Sequence, residues 1–480
     1  MIGVSGLVAI LPLLLLAGTA VAVMLVITIH RSHRLTLVLT LLGLTASFAS
    51  LWIAAKIAPL RVTPLLMLDQ YALFYFGMII AATAAVAGLA YGYLEQHAVE
   101  KEEFYILLLT AALGAAVLAA SSHFVSFFLG LEILSISLYA LNAYIYPRRT
   151  ALEAGIKYLV LAAASAAFLL FGMALIYAAV GTMAFGHMAE LMIETAGPNR
   201  TLLLPGLAMI ITGMAFKLAL VPFHMWTPDV YQGAPPPVAA FIASVSKGGM
   251  FALLLRYFYR LELHNYAPVV VVFTIIAIAS MLGGNLLALL QSNVKRILAY
   301  SSIAHMGYVL VAFIASGELA VQAVTFYLVA YFVTIIGAFG VVTVLSNGDE
   351  DAETLESYRG LFWRRPALAG VMTAMLLSLT GIPVTAGFIG KFYVVAAGAS
   401  SAAWTLVIIL VISSVIGAFY YLRVIFALYA DAPEIAEGTV VSPSRMGFGS
   451  SVLVVLTVLL IWLGVYPAPL LHVIRAALPG

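Results

Sequence analysis

The stretch GMAFKLALVPFHMWTPDVYQGAPPPV, residues 213–238, sets Lys217 in an apolar run and follows it five residues later with Pro222. Proline removes a backbone donor and clashes with the preceding helical turn. The segment therefore reads as a broken membrane helix, interrupted at Pro222 and again at Pro228. Such a break is tolerated at membrane depth only where protein or cavity water satisfies the freed backbone groups. A second stretch, SLTGIPVTAGFIGKFYV at 378–394, repeats the arrangement, with Gly381 and Pro383 ahead of Lys391. Interrupted hydrophobic segments at matching places in two halves of a chain point to an inverted-repeat transporter.

Working outward, runs of about 20 apolar residues are the length that crosses a bilayer as a helix. Fourteen are expected, at roughly 5–29, 35–56, 71–94, 104–121, 123–145, 154–180, 203–231, 236–259, 267–290, 297–315, 320–345, 366–396, 402–429 and 449–473. The two broken segments, 203–231 and 366–396, are each the fourth of a five-helix block. The expected fold is an all-α polytopic membrane protein with two inverted five-helix repeats in which helices seven and twelve are broken. Its expected parts are three leading helices (1–103), a first bundle (104–259), a second, inverted bundle (267–429) and a last helix (449–480). Val4–Ile29 is too long for a signal-peptide core and lacks a basic leading region, so it should remain in place as a helix.

Composition agrees. Of the 480 residues, 64% are hydrophobic and 9% charged, where soluble domains carry about a quarter charged. A net charge of +2 without any basic tract argues against a nucleic-acid partner and leaves the lipid bilayer as the medium. Absence of cysteine excludes disulfides, thiolate metal sites and iron–sulfur ligation together. No P-loop, HExxH or dinucleotide-binding glycine pattern stands in a plausible setting, so no cofactor or metal is expected in this chain. The loops after odd-numbered helices hold eleven Lys and Arg residues against six on the other side. By the positive-inside rule the odd loops are cytoplasmic and both termini periplasmic.

Four of the seven lysines, Lys157, Lys217, Lys247 and Lys391, lie inside hydrophobic segments, as does one carboxylate, Glu132. A charge at the bilayer centre costs roughly 2.5–3.5 kcal/mol on insertion scales. A desolvated lysine can release its proton near neutral pH, whereas a guanidinium effectively cannot. The set thus reads as proton-handling groups. Glu132 and Lys217 are expected to share the burial cost as an ion pair whose weakening favours proton release; a static bridge between helices five and seven is the bland alternative. Lys247, in ASVSKGGMF (243–251), is too central to snorkel. Lys391 follows the second break, where unwound carbonyls can accept its protons, though snorkelling remains open. Lys157 stands four residues after Glu153, the order that favours a plain helix-surface pair. His224 suits a relay from Lys217 or an ordinary structural role, and His305 in LAYSSIAHMGYVL is similar.

These motifs carry a resemblance. FYILLLTAALG (104–114), FLGLEILSISLYAL (128–141), the run from Lys217 through TPDVYQGAP, NVKRILAYSSIAHMGY (293–308), SYRGLFWRRP (357–366) and GIPVTAGFIGKFYV (381–394) resemble the subunit N family. That family belongs to bacterial respiratory complex I, the proton-translocating NADH:quinone oxidoreductase. The similarity covers essentially the whole chain. It implies an antiporter-like subunit of the inner-membrane arm. By position, Glu132 and Lys217 match the family's coupled pair, and Lys247 its central relay lysine. Lys391 matches the lysine of the second half-channel, Lys157 a helix-six lysine, and His224 a polar residue of the central axis. Ending soon after helix fourteen sets the chain apart from subunit L, and Lys391 sets it apart from subunit M, where a glutamate is expected. Partners would include other membrane-arm subunits, among them paralogous antiporter-like chains. FMN, iron–sulfur clusters, NADH and quinone would sit in further subunits. The rival reading is a subunit of a cation/proton antiporter or membrane-hydrogenase-type complex of the same fold.

Overall fold

A computed structural model describes residues 3–98, 100–194, 200–261, 266–346, 351–431 and 447–478. Arg445 and the side chain of Arg200, both counted in the loop-charge comparison, lie outside the described residues, as do parts of the loops following helices six, eleven and thirteen. Among the described residues thirteen helices are long and apolar enough to cross a membrane. Two shorter apolar helices in tandem, Pro366–Thr380 and Ala386–Ser400, supply the remaining crossing.

Crossing 1 is Val4–Ala9 continued by Leu11–Ile29, crossing 2 is His33–Ala55 and crossing 3 is Gln70–His97. Next come crossing 4 (Glu103–Ala120), crossing 5 (Phe124–Asn142), crossing 6 (Arg149–Val180), crossing 7 (Arg200–Leu218 with Trp226–Gly233) and crossing 8 (Pro236–Arg260, containing a π-helical turn at Ile242–Ser246). They are followed by crossing 9 (Ala267–Leu289), crossing 10 (Val294–Ala315), crossing 11 (Gly317–Leu345), crossing 12 (the tandem pair) and crossing 13 (Trp404–Tyr429). Crossing 14 is Phe448–Val465, trailed by the short helix Ala468–Ala476.

Two features differ from the sequence reading. Residues Leu60–Thr63 and Leu66–Leu68 form a small antiparallel hairpin after crossing 2, the two strands found among the described residues. Pro228 breaks nothing. It sits in the first turn of Trp226–Gly233, where a missing N–H would have had no helical partner anyway. Crossing 7 is thus interrupted once, between Leu218 and Trp226.

Both interruptions are satisfied by protein. At the first, Ser280 of crossing 9 accepts from the Val221 N–H at 3.0 Å, and the Trp226 indole donates to the Phe216 carbonyl at 3.0 Å. At the second, Gly381 ends the helix with φ 89°, a left-handed conformation that costs glycine little. Gly387 restarts it so close to Ser378 that an added Cβ would lie 1.9 Å from the Ser378 carbonyl oxygen.

Loop contacts sort the connections onto two faces. Leu66 bridges to Ser121 and His123 to Ala184 on one; Asn293 bridges to Thr354 on the other. Arg475, near the C-terminus, reaches Gln322 at the start of crossing 11, and the first helix packs on the hairpin. Both termini therefore share the face of the even-numbered loops.

The opposite face is closed by one carboxylate. Asp351 accepts from Arg148 (2.8 Å), Lys295 (2.8 Å) and the Tyr93 hydroxyl (2.9 Å), while Lys295 also donates to the Ala234 carbonyl (2.8 Å). Groups from crossings 3, 6, 7 and 10 meet there. Burial alone would raise the carboxyl of Asp351, but Lys295 and Arg148 overcome it and hold its pKa down to about 2. Since that lies below the unfolded value near 3.9, the charge contributes stability above roughly pH 4, and the contribution fades as pH falls towards 2. Asp351→Asn leaves two cations, one fully buried, without their counter-charge, at a cost of about 3–5 kcal/mol. The expected result is an earlier thermal transition of the detergent-purified assembly at pH 7, with the gap to wild type narrowing below pH 4. An unchanged transition would show that the lock adds nothing.

Candidate functional site

The buried lysines lie along one band of polar groups. Lys217, 3% exposed at the end of the first half of crossing 7, donates to Ser135 (3.0 Å) on crossing 5 and to Tyr158 (2.9 Å) on crossing 6. Lys247 is fully buried directly after the π turn of crossing 8 and donates to Ser302 of crossing 10 at 2.7 Å. Ser302 also accepts from the Tyr331 hydroxyl of crossing 11 at 2.6 Å. Lys391, five residues into the second half of crossing 12, donates to the Thr380 carbonyl at 2.8 Å and to Ser414 at 3.2 Å. The unwound carbonyl anticipated at that break is thus the one it uses.

Aromatic and hydroxyl groups fill the intervals. Tyr158 packs on Trp226 with ring centroids 4.9 Å apart, Trp226 meets Tyr231 at 6.4 Å, and the ammonium of Lys247 lies 5.9 Å from the Tyr231 ring. Beyond Ser302 and Tyr331 stands His305, whose Nδ1 pairs with the Tyr327 hydroxyl (2.8 Å) and whose Nε2 pairs with that of Tyr421 (3.1 Å). Tyr421 is also hydrogen-bonded to Ser301. Tyr308 packs against His305 and presents its ring 4.9 Å from the ammonium of Lys391. The hydroxyl of Tyr308 continues to Asn285 and Ser413. The arrangement holds three amines in a low-dielectric interior among groups able both to donate and to accept protons.

The sequence expectation for Glu132 needs correction. It forms no direct ion pair with Lys217, whose hydrogen bonds go to two neutral hydroxyls instead. Glu132 stands one turn before Ser135 on crossing 5, half-buried, with Oε1 unpartnered. Lys217 thus bonds to the hydroxyl one turn further along crossing 5 than the carboxylate. Nor does His224 join Lys217: it lies in the break, 7% exposed, and neither ring nitrogen makes a hydrogen bond of normal geometry. Lys157 has its expected partner Glu153 at 2.6 Å and an unexpected one, Asp229 of crossing 7, at 2.8 Å. Asp229 also binds Arg296. With its side chain 42% exposed, Lys157 belongs to this ion cluster and stands apart from the band.

Sequence reading missed Ser135, Tyr158 and Tyr331, because hydroxyls scattered over three helices give no linear signal. It also missed the buried pair in which Arg256 grips Asp69 with two bonds of 2.7 and 2.8 Å. Asp69 also caps crossing 3, its side chain accepting from the Ala72 N–H. Among the described residues no group of three or more His, Cys, Asp or Glu side chains could hold a metal ion.

Residues 121–417 match the family described as NADH:quinone oxidoreductase/Mrp antiporter, transmembrane. A protein of Ectopseudomonas mendocina (strain ymp) named NADH-quinone oxidoreductase subunit N is 48% identical over 484 residues, covering 98% of this chain and 96% of that protein. A chain from the structure of respiratory complex I from Thermus thermophilus with bound aureothin superposes with TM-score 0.82 at 34% identity, over 97% of this chain and 99% of that one. A chain of the Mrp complex from Dietzia sp. DQ12-45-1b shares the fold, with TM-score 0.85 at 19% identity over 99% and 97% of the two chains.

Proposed function

From the premise that this chain belongs to the NADH:quinone oxidoreductase/Mrp antiporter family, in its subunit N branch, we propose how its buried groups carry a proton. The chain is a proton-translocating membrane-arm subunit of NADH:quinone oxidoreductase, and other membrane-arm subunits are its partners. In the proposed path, the two inverted bundles each supply half of the route. A change in the charge or position of Glu132, imposed from a partner chain, alters the attraction felt by the ammonium of Lys217. Its proton then moves through the hydroxyl and aromatic interval to the neutral amine of Lys247. From there it passes by Ser302, Tyr331 and His305 to Lys391. Each transfer converts one ammonium to an amine and the next amine to an ammonium, so charge balances at every step.

One observation supports this path above all: Lys217, Lys247 and Lys391 each hydrogen-bond to hydroxyls or a carbonyl, and packed aromatic rings fill the intervals between them. Lys157 and His224 are assigned no transfer step. Oxidation of NADH and reduction of quinone fall to partner subunits that hold FMN and iron–sulfur clusters. Moving one charge against 100 mV takes about 2.3 kcal/mol, which those reactions supply.

Purification through a tag on this chain should bring down flavin and iron–sulfur absorption together with NADH:quinone reductase activity. Recovery of small antiporter subunits without redox centres would instead establish the cation/proton antiporter reading. The proposed orientation, in the bacterial inner membrane with termini periplasmic, is open to the same preparation, because the chain has no cysteine of its own. In intact spheroplasts a membrane-impermeant maleimide should label Ser5→Cys and leave Tyr146→Cys untouched; the reverse pattern would invert the topology.

A further inference from the structure

A cavity of ≈ 1300 Å³ opens on the flank of the molecule, with none of the relay lysines in its lining. Crossings 3 and 11 form its floor, the last turns of crossing 2 and the length of crossing 14 its walls, and the helix Ala468–Ala476 borders it on the face of the termini. No charged residue lines it. Apart from the indoles of Trp52 and Trp462, Gln70 and Ser451 are its polar side chains among the described residues. Small floor residues, Gly77, Ala81 and Ala84, make it deep.

The occupant follows from lining and charge. Flexible hydrocarbon chains suit a groove whose lining is almost wholly apolar. Trp52 and Trp462 both stand near the ends of their crossings on the termini face, where indoles sit at the headgroup level. Two exposed cations border the same mouth. Lys56 directly follows the lining residue Ala55, and Arg475 lies between the lining residues Val473 and Ala476. Neither has a carboxylate partner among the described residues. We propose that the groove seats an anionic phospholipid, its acyl chains filling the cavity and its phosphate held by Lys56 and Arg475. The seat lies one side-chain layer from the relay: the floor residues Phe332 and Met78 close over Gly248, where an added Cβ would be 2.3 Å from Phe332 and 3.4 Å from Met78. Gly248 follows Lys247 directly.

The test reconstitutes the whole complex with phosphatidylglycerol or phosphatidylcholine carrying a photoreactive diazirine in one acyl chain, and maps adducts by peptide mass spectrometry. At about tenfold in affinity for every 1.4 kcal/mol and about 1 kcal/mol per headgroup cation, the anionic lipid should label crossing 14 and the first half of crossing 3 some thirtyfold more than the neutral one. Lys56→Gln with Arg475→Gln, both at exposed positions, should bring the two lipids to parity with the complex still assembled. Ala81→Phe, which fills the floor, should reduce labelling by either lipid. Equal labelling in the wild type, an unchanged preference in the double variant, or labelling that survives a filled groove would overturn the proposal. So would cross-links from the groove to a partner subunit in place of lipid.

Discussion

Lys217→Arg should leave the complex assembled and proton pumping at background. Arginine keeps the positive charge and can still donate to Ser135 and Tyr158, the two hydroxyls that hold Lys217. It cannot take part in transfer, because a guanidinium does not release its proton in a protein. Proton transfer by a positioned side chain is worth roughly a hundredfold or more in rate, so the loss should be near complete in vesicles driven by NADH. Quinone-linked turnover should fall with it, since the redox steps work against a stalled relay. The absence of a Glu132–Lys217 ion pair sharpens the test. A charge needed only for structure would be well served by arginine among neutral partners, and a variant that pumps normally would remove Lys217 from the path.

Lys391→Ala should lower pumping and quinone-linked activity in parallel, again without loss of the subunit from the membrane. The substitution leaves the first bundle and its lysines untouched. It deprives the Thr380 carbonyl of one donor at a break where Gly381 and Ile382 already bond back to Leu377. Folding at the interruption therefore survives, while the proton reaching Lys247 finds no acceptor beyond His305. Wild-type rates in both assays would confine the path to the first bundle and make Lys391 a residue that merely ties the break together.

How legible all this was depended on the kind of signal. Crossings were readable because hydrocarbon imposes a minimum apolar length. Breaks at Pro222 and at Gly381–Pro383 were readable because proline lacks the N–H and crowds the preceding turn, and glycine readily leaves the helical conformation. Buried lysines stood out through the cost of desolvating them. Pro228 misled because proline's effect depends on its place in a helix: harmful inside, harmless in the first turn. The Glu132–Lys217 pairing misled differently, since two opposite charges at similar depth suggest contact, while Lys217 bonds to Ser135 and Tyr158 instead. Asp351 was invisible for a third reason. In the sequence it is one acid in a polar loop, and only the folded chain carries Arg148, Lys295 and Tyr93 to it.

The π turn at Ile242–Ser246 has a geometric consequence for everything after it. Such a turn accommodates one residue more than an α-helical turn does, and each α-helical residue advances the side-chain direction by about 100°. Crossing 8 therefore carries a built-in phase offset between its two ends. Strip out the surplus residue and the leading part, Pro236–Phe241, would keep its seat while Lys247 swung about a quarter-turn or more off Ser302. Gly248 and Gly249 would then turn away from Phe332 and Ala115, the neighbours that leave room for no side chain at either position. The aim of the central amine is set by a count of residues, and a one-residue slip along the helix is enough to change it.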